Sequence, residues 1–169
     1  VGGNIPTNFI PAIEKGIVET LDTGPVSGYQ VVDVAATVYD GKHHAVDSDE
    51  VSFKIAGSQA FRDAFLKAKP TLLEPIYSLT VTVPEEFMGD VMGDLSSRRG
   101  RISGMDTDGH FQVIHVEVPL AEIYGYATTL RSMTQGKGMH TQNFERYEEV
   151  PGDIMQRIVE DSKKEKEAA

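Results

Sequence analysis

The chain has 169 residues, 40% of them hydrophobic, which suffices for a core, and no cysteine, which excludes disulfides, thiolate metal sites and cysteine nucleophiles. Its formal net charge of −10 argues against a non-specific nucleic-acid binder, because such proteins need a basic face to neutralise phosphates, so any RNA contact must be local. No apolar run approaches the roughly 18 residues of a spanning helix and no signal peptide opens the chain, so a soluble cytoplasmic protein is expected.

The first block, residues 1–72, predicts two helices and a single strand. A loop over 1–10 leads into a helix that begins at Pro11 and ends at Gly24. Residues 31–38 have the β-propensity of a strand. Because one strand cannot make a sheet, we expect either that strands are missing upstream or that the block leans on another domain. A chain that starts here is therefore expected to be a fragment.

A loop and a second helix follow that strand. Asp-Gly at 40–41 is a strong turn signal and predicts a projecting loop over 39–48. Either Asp47 or Ser48 is expected to cap the next helix, which Pro70 stops.

The stretch 74–100 predicts a strand followed by a helix. Apolar residues alternate with hydroxyl residues along 77–83, which is the period of a half-buried strand. Pro84 suits the first position of a helix, and Gly100 stands where a left-handed C-cap is expected. The apolar stripe of this helix consists of Phe87, Val91 and Leu95.

The same pattern recurs along the chain. Val-x-Val-Pro at 81–84 is matched at 116–119, an offset of 35 residues, and Leu95 is matched by Leu130 at that offset. Two β-α-β units in tandem, each too small to bury its own apolar face, indicate the βαββαβ ferredoxin-like plait. The plait hosts many functions, so the repeat by itself predicts no chemistry.

A last helix is expected after Pro151. The tail over 161–169 has no apolar face and is expected to fray or to be disordered. The inward-facing residues of this helix are expected to be Ile154, Met155, Ile158 and Val159.

Two features of the helix after Pro84 are candidates for a binding function. Gly89 and Gly93 each lower the stability of the helix by about 1 kcal/mol relative to alanine. Close packing of the helix on the sheet is the favoured explanation, and a smooth surface for RNA or a partner backbone is the alternative. Arg98, Arg99 and Arg101 at the end of the helix can serve the helix dipole or form a phosphate-contacting cluster, and the sequence leaves both open.

Lys42, His43 and His44 lie at the predicted turn. Adjacent histidines point apart and no third ligand is nearby, so no metal site is predicted; a solvated loop and an RNA-contacting finger remain. The sequence has no phosphate-binding loop, nucleophile elbow or zinc-protease motif. No catalytic, metal-binding or nucleotide-binding residue is therefore predicted, and the chain itself is not expected to be an enzyme.

Several phrases of the sequence resemble the last two domains of translation elongation factor G. Together they cover nearly all of residues 1–150 in the order of that family. The phrases are VGGNIPTNFIPAIEKGI, VYDGKHHAVDSDEVSFKIAGSQAFRDA, LLEPIYSLTVTVPEEFMGDVMGDLSSRRGRISGM and VPLAEIYGYATTLRSMTQGKG.

The resemblance implies an α+β chain of two domains. Residues 1–72 look like the fourth domain, a ribosomal-protein-S5-like β-α-β fold without its opening strands. Residues 73–169 look like the fifth domain, the ferredoxin-like plait with a C-terminal helix. A hinge is expected over 72–75, because a residue that precedes a proline is pushed to extended geometry.

The resembled family is a ribosome-dependent GTPase that promotes movement of tRNA and mRNA, and the resemblance implies a cytoplasmic monomer with no membrane contact. Its GTP and magnesium belong to a nucleotide-binding domain that this chain lacks. The implied partners are the rRNA of both subunits and the tRNA–mRNA at the decoding centre.

The resemblance also assigns the candidate residues. The loop with Lys42, His43 and His44 looks like the tip that reaches the decoding centre, and His44 falls where the eukaryotic counterpart carries diphthamide. His43 and Ala45 depart from the aromatic and acidic residues common there. Five other residues fall in the region that meets 23S rRNA in this family: Gly89, Gly93, Arg98, Arg99 and Arg101.

Two alternatives remain at this point. Recycling factors and ribosomal-protection proteins share the architecture, and the phrases SSRRGRI and MTQGKG do not separate them from a translocase. A stand-alone ferredoxin-like module that regulates by binding a protein or small ligand is the other alternative.

Overall fold

The computed structural model of the chain describes residues 3–168 and divides the chain into two compact units. Unit 1 comprises residues 1–71 and 151–169, and unit 2 comprises residues 72–150. In chain order the elements are α1 (Ile10–Thr23), α2 (Glu50–Lys67), β1 (Leu73–Pro84), α3 (Met88–Ser97), β2 (Arg101–Asp108), β3 (Phe111–Pro119), α4 (Tyr126–Met133), β4 (Met139–Glu149) and α5 (Gly152–Ala168).

The two units separate between residues 71 and 72. Residues 73–75 pair with β4 inside the sheet of unit 2, so the prediction of a hinge over 72–75 is wrong for these three residues. The sequence-based domains, 1–72 and 73–169, differ from these units mainly in α5, which lies in unit 1. The domain to which α5 belongs stays a prediction.

In unit 1, α1 and α2 pack closely at two glycines. A Cβ on Gly16 would lie 2.1 Å from the carbonyl oxygen of Lys54, and a Cβ on Gly57 would lie 2.9 Å from Ile13. Larger residues at these two positions would force the helices apart. The buried apolar side chains of the two helices are Ile13, Phe53 and Phe61.

The N-terminus of α2 is capped by Asp49. Its extended backbone lets the carboxylate accept a hydrogen bond of 2.6 Å from the amide of Ser52, three residues on. The prediction of Asp47 or Ser48 as the cap is therefore wrong. The Ser48 hydroxyl instead accepts a hydrogen bond from the backbone amide of His44, at 2.9 Å.

The prediction of a strand over 31–38 is wrong for the described residues. That segment joins no sheet, since the described part of unit 1 offers no other strand with which it could pair. The amide of Val31 donates to the carbonyl of Leu21 at the end of α1, at 2.8 Å. High β-propensity therefore gives no strand here, because a strand needs a partner for its backbone groups.

Unit 2 is a four-stranded antiparallel sheet in the order β2-β3-β1-β4. Helix α3 connects β1 to β2, and α4 connects β3 to β4. This order and connectivity confirm the ferredoxin-like plait and the two-domain α+β class. The repeated Val-x-Val-Pro segments, 81–84 and 116–119, lie in β1 and β3, which pair at the centre of the sheet.

One face of this sheet carries the core of unit 2 and the other face is polar. Alternate residues of β1 and β3 are buried with residues of α3 and α4, and the residues between them point to the opposite face. The fully buried aliphatic side chains of the two strands are Leu79, Val81, Val83, Ile114, Val116 and Val118.

The start of α3 differs from the prediction. Pro84 is the last residue of β1 and pairs with Phe111, and its ψ of 147° is extended rather than helical. A 3-10 turn over Glu85–Phe87 then leads into α3 at Met88. The prediction of Pro84 as the first helical residue is therefore wrong.

Helix α3 ends in a Schellman turn in which the left-handed residue is an arginine. Arg99 has φ of +62°, and the amide of Gly100 donates to the carbonyl of Leu95 at 2.8 Å. The prediction of Gly100 as the left-handed residue is wrong, but glycine is still needed there, because a Cβ would lie 2.5 Å from the Leu95 carbonyl oxygen. Gln135 takes the left-handed position, φ +53°, after α4.

The expected disorder of 161–169 is contradicted for the described part of that tail. Helix α5 continues to Ala168, whereas Ala169 lies outside the described residues. Glutamate, lysine and alanine have high helix propensity, and Lys164 lies 3.3 Å from the carboxylate of Asp161 one turn earlier.

We expect Gly100→Ala to lower the free energy of unfolding by about 1–3 kcal/mol, because the new methyl group must displace backbone that is already in contact. Gly93→Ala in α3 is the matched control, since a Cβ there meets nothing within 4 Å. The control should gain up to about 1 kcal/mol from helix propensity. Urea unfolding followed by circular dichroism measures both variants, and equal stabilities would contradict the contact at Gly100.

Candidate functional site

Arg98 lies between α3 and the loop that precedes α4. Its Nε donates to the Asp94 carboxylate at 2.8 Å, and another guanidinium nitrogen donates to the carbonyl of Glu122 at 2.7 Å. The guanidinium also lies 5.4 Å from the centre of the Tyr126 ring. Arg98, whose side chain is 22% exposed, therefore connects the end of α3 to the loop that precedes α4.

Arg99 connects the end of α3 to the start of β1. Its two terminal nitrogens bind both carboxylate oxygens of Glu74, one of them at 3.0 Å, in the bidentate geometry that favours arginine. A second carboxylate, that of Glu122, lies 3.8 Å away. The ion pair with Glu74 fixes the side chain of Arg99, whose backbone is left-handed.

Arg101 belongs to a network of four charges on the polar face of the sheet, which we call the ionic square: Arg101, Glu117, Arg146 and Glu148. Arg101 contacts Glu117 at 2.9 Å and Glu148 at 3.0 Å, and Arg146 contacts the same two carboxylates at 2.7 and 2.8 Å. Hydrogen bonds from Arg146 and then from Arg101 lower the pKa of Glu117 to about 2. The same partners lower the pKa of Glu148.

The three arginines therefore do not form one cluster of exposed positive charge. Arg98 binds a carboxylate of the helix that it ends, Arg99 binds a carboxylate of β1, and Arg101 lies on the sheet face opposite the helices. Any phosphate that contacted them would compete with these carboxylates. Their role as RNA contacts stays a prediction.

Gly89 and Gly93 lie on the exposed side of α3. A Cβ added to either glycine would meet nothing within 4 Å, whereas Val91 and Leu95 on the other side of the helix are fully buried. The favoured explanation, close packing of helix on sheet, is therefore wrong. What remains is a strip of helix surface where a partner can approach the backbone closely.

The loop that carries Lys42, His43 and His44 is tied to the start of the chain. The Asp40 carboxylate accepts hydrogen bonds from the Asn4 side chain at 2.9 Å and from the Gly41 amide at 2.8 Å. These bonds, with that from Asn4 the larger cause, lower the pKa of Asp40. Asn4 was not among the predicted residues, because nothing local in the sequence signals a contact 36 residues away.

The three candidate side chains of this loop are all exposed. A bond from the His44 amide to Ser48 fixes the backbone of the loop but leaves the imidazole outside. No group of three side chains able to hold a metal ion occurs in the described part of the chain, so the histidines have no such neighbours there. The loop therefore presents Lys42 and two imidazoles outward from an anchored base.

Comparison with known proteins assigns both parts of the chain. The family model for domain IV of elongation factor G matches residues 1–69, and that for the C-terminus of elongation factor G matches residues 71–158. A crystal structure of a protein from Thermus thermophilus has 46% sequence identity and a TM-score of 0.79. The match covers 96% of this chain but 24% of that protein, so the chain spans about a quarter of its length.

The plait and the two collinear matches define the chain as part of a translation elongation factor. No described helix is long and apolar enough to cross a membrane. The chain belongs to the elongation factor G family, of which it carries domain IV and the C-terminal domain.

The ionic square makes stability depend on pH. The pKa of Glu117 is lowered from 4.5, so the ionised carboxylate adds to the free energy of unfolding above pH 4.5. This contribution is lost as the pH falls toward 2. We expect Glu117→Gln to be less stable than the parent at pH 7, with a difference that shrinks between pH 4.5 and 2.

The matched control for Glu117→Gln is Glu149→Gln, a change of an exposed glutamate on β4 that has no ion pair with any described residue. This control should follow the parent at every pH. Urea unfolding as a function of pH measures all three proteins. A constant difference between Glu117→Gln and the parent down to pH 2 would contradict the assignment.

Proposed function

We propose that this chain is the C-terminal part of a ribosome-dependent GTPase that promotes movement of the tRNA–mRNA on the ribosome. The observation that carries the proposal is the collinear match of two elongation factor G domains over residues 1–69 and 71–158. The complete protein binds GTP and magnesium through another domain and acts as a monomer in the cytoplasm. Its partners are the rRNA of both ribosomal subunits and the tRNA–mRNA at the decoding centre.

The loop with Lys42, His43 and His44 is the part that reaches the decoding centre. Its exposed side chains and its anchor at Asn4 and Asp40 support this role. The charge balance does not favour attraction at a distance, because only charges within about 8 Å count at physiological salt. Lys42 is flanked along the sequence by three aspartates, so the loop acts through shape and directed hydrogen bonds after the rest of the factor has docked.

Unit 2 supplies the contact with 23S rRNA. The exposed strip at Gly89 and Gly93 supports a close approach of an RNA backbone to α3. Arg98 and Arg99 lie at the end of α3 beside this strip, whereas Arg101 meets RNA from the opposite face of the sheet, and each exchanges part of its carboxylate pairing for phosphate. Alanine at Arg98 or Arg99 would also break an internal ion pair, so the glycines offer the cleaner test.

We expect His44→Ala in the complete protein to slow tRNA movement while ribosome binding and GTP hydrolysis stay close to those of the parent. The reason is that His44 is exposed and its side chain contributes no hydrogen bond to the described fold. Stopped-flow measurement of tRNA movement, with GTP hydrolysis measured in parallel, tests this. The matched control is Gln59→Ala, a change of an exposed residue on α2. Loss of ribosome binding, or movement at the parent rate, would contradict the assignment of the loop.

We expect Gly89→Gln and Gly93→Gln to weaken association of the complete protein with the ribosome by about tenfold or more, because a long side chain keeps a partner from the backbone. Both side chains project into open space, so the fold should not change. Ala60→Gln, an exposed change on α2, is the control. Parent-like association of both glycine variants, measured by ribosome pelleting, would remove α3 from the proposed interface.

A further inference from the structure

Strand β4 leaves one edge of the sheet open. It stands at the end of the strand order and, among the described residues, pairs only with β1. Its outer edge therefore offers unpaired backbone N–H and C=O groups along Met139–Phe144. Natural proteins protect such edges with charges, proline or bulges, but this six-residue segment has neither charge nor proline. The bulge in its pairing with β1 comes only after Phe144.

A groove of about 590 Å³ lies where β4 begins beside the end of α4. The exposed side chain of Met139 contributes apolar surface to it, Leu130 lines it but is only 1% exposed, and Arg131 and His140 contribute polar groups. None of the described residues that line it is a carboxylate, although the chain has 26 acidic residues. Such a groove suits a ligand that brings its own negative charge together with apolar atoms.

Arg131 is the positive charge of this groove. Unlike Arg98, Arg101 and Arg146, it has no carboxylate within 4.0 Å in the described part of the chain. Burial, and then the charge of Arg131, lower the pKa of His140, which favours its neutral form. Arg131 lies in the last turn of α4, where a positive charge interacts favourably with the helix dipole. The dipole does not explain why no acidic residue of the described part of the chain lines the groove.

An exposed aromatic group lies at the other end of the same edge. The Phe144 ring contacts the Tyr77 ring at 6.0 Å and the Tyr147 ring at 5.3 Å between centres. Phe144 is 51% exposed and Tyr147 is 62% exposed. His140 and Phe144 pair with Val81 and Tyr77, so they share the helix side of the sheet and stand four residues apart.

We propose that the edge Met139–Phe144 binds an extended acidic peptide as a fifth strand, with a carboxylate on Arg131 and an apolar side chain on Phe144. The backbone of the peptide pairs with β4, and its acidic and apolar residues stand four apart, because alternate residues of a strand face the same side. This inference does not depend on the proposed role in translation.

A peptide suits this edge better than a nucleic acid does. Binding of an RNA strand requires several phosphates to be neutralised, whereas the groove holds one full positive charge on a chain of net charge −10. A phosphate backbone would use neither the open backbone edge nor the exposed apolar side chains of Met139 and Phe144. They match the main-chain pairing and side-chain contacts of an added strand.

The test uses the 169-residue chain labelled with ¹⁵N and the acetylated peptide Thr-Val-Glu-Val-Thr-Val-Phe, in which glutamate and phenylalanine stand four apart. Because the strand direction is open, the reversed sequence is tested as well. We expect amide shifts concentrated at 139–144 and slower hydrogen exchange of the outward amides there. A peptide with glutamine in place of glutamate should bind about tenfold more weakly, since it lacks the charge-assisted bond.

Variants decide whether Arg131 is the anchor. Arg131→Ala should weaken the glutamate peptide about tenfold and leave the glutamine peptide unchanged. Arg62→Ala, which removes an exposed arginine from α2, is the matched control and should change neither.

Three results would each overturn the proposal. One is the absence of shifts at 139–144 with both peptides, each at about 1 mM, which is the largest dissociation constant expected for such contacts. Another is equal binding of the glutamate peptide to Arg131→Ala and to the parent. The third is a ten-nucleotide single-stranded RNA that shifts the same amides at a lower concentration than either peptide does.

Discussion

The pairing of β1 with β3 is the constraint on which unit 2 depends. Each of the outer strands is attached to only one of these two, β2 to β3 and β4 to β1, so the central ladder holds both edges. Across the ladder Leu79 lies opposite Val116, and Val81 lies opposite Ile114, all of them fully buried under α3 and α4. Burial of each such side chain contributes about 1.5–3 kcal/mol, so the ladder and the core stabilise each other.

The strict alternation of these strands also sets the polar face. Glu117 lies between Val116 and Val118, and the pleat turns its carboxylate away from the core toward Arg101 and Arg146. A shift of register by one residue would bury a charge and expose the valines. The ionic square therefore requires the same strand register as the core does. It joins three of the four strands, on the side of the sheet that no helix of unit 2 covers.

Sequence predicted those features that depend on local period or on repetition. The alternation along 77–83 and the recurrence of Val-x-Val-Pro were enough for the plait, because both follow from neighbours along the chain. The strand over 31–38 failed because pairing depends on strands that the described unit lacks. The partners of the arginines could not be predicted either, since Glu74 stands 25 residues from Arg99 and Glu148 stands 47 residues from Arg101. For Gly89 and Gly93, sequence indicated an unusual helix surface but not the side on which it lies.

The outer pairing of β1 with β4 has a consequence for how this unit can be handled. Leu73 pairs with Glu149, and just outside them the amide of Val150 donates to the carbonyl of Leu72 at 2.9 Å. The chain thus enters and leaves unit 2 at neighbouring points on adjacent strands. Domains with adjacent ends tolerate circular permutation and insertion into other proteins, because joining the ends requires little added chain. Unit 2 has the geometry of a cassette that can be excised whole or grafted into a surface loop of a host protein.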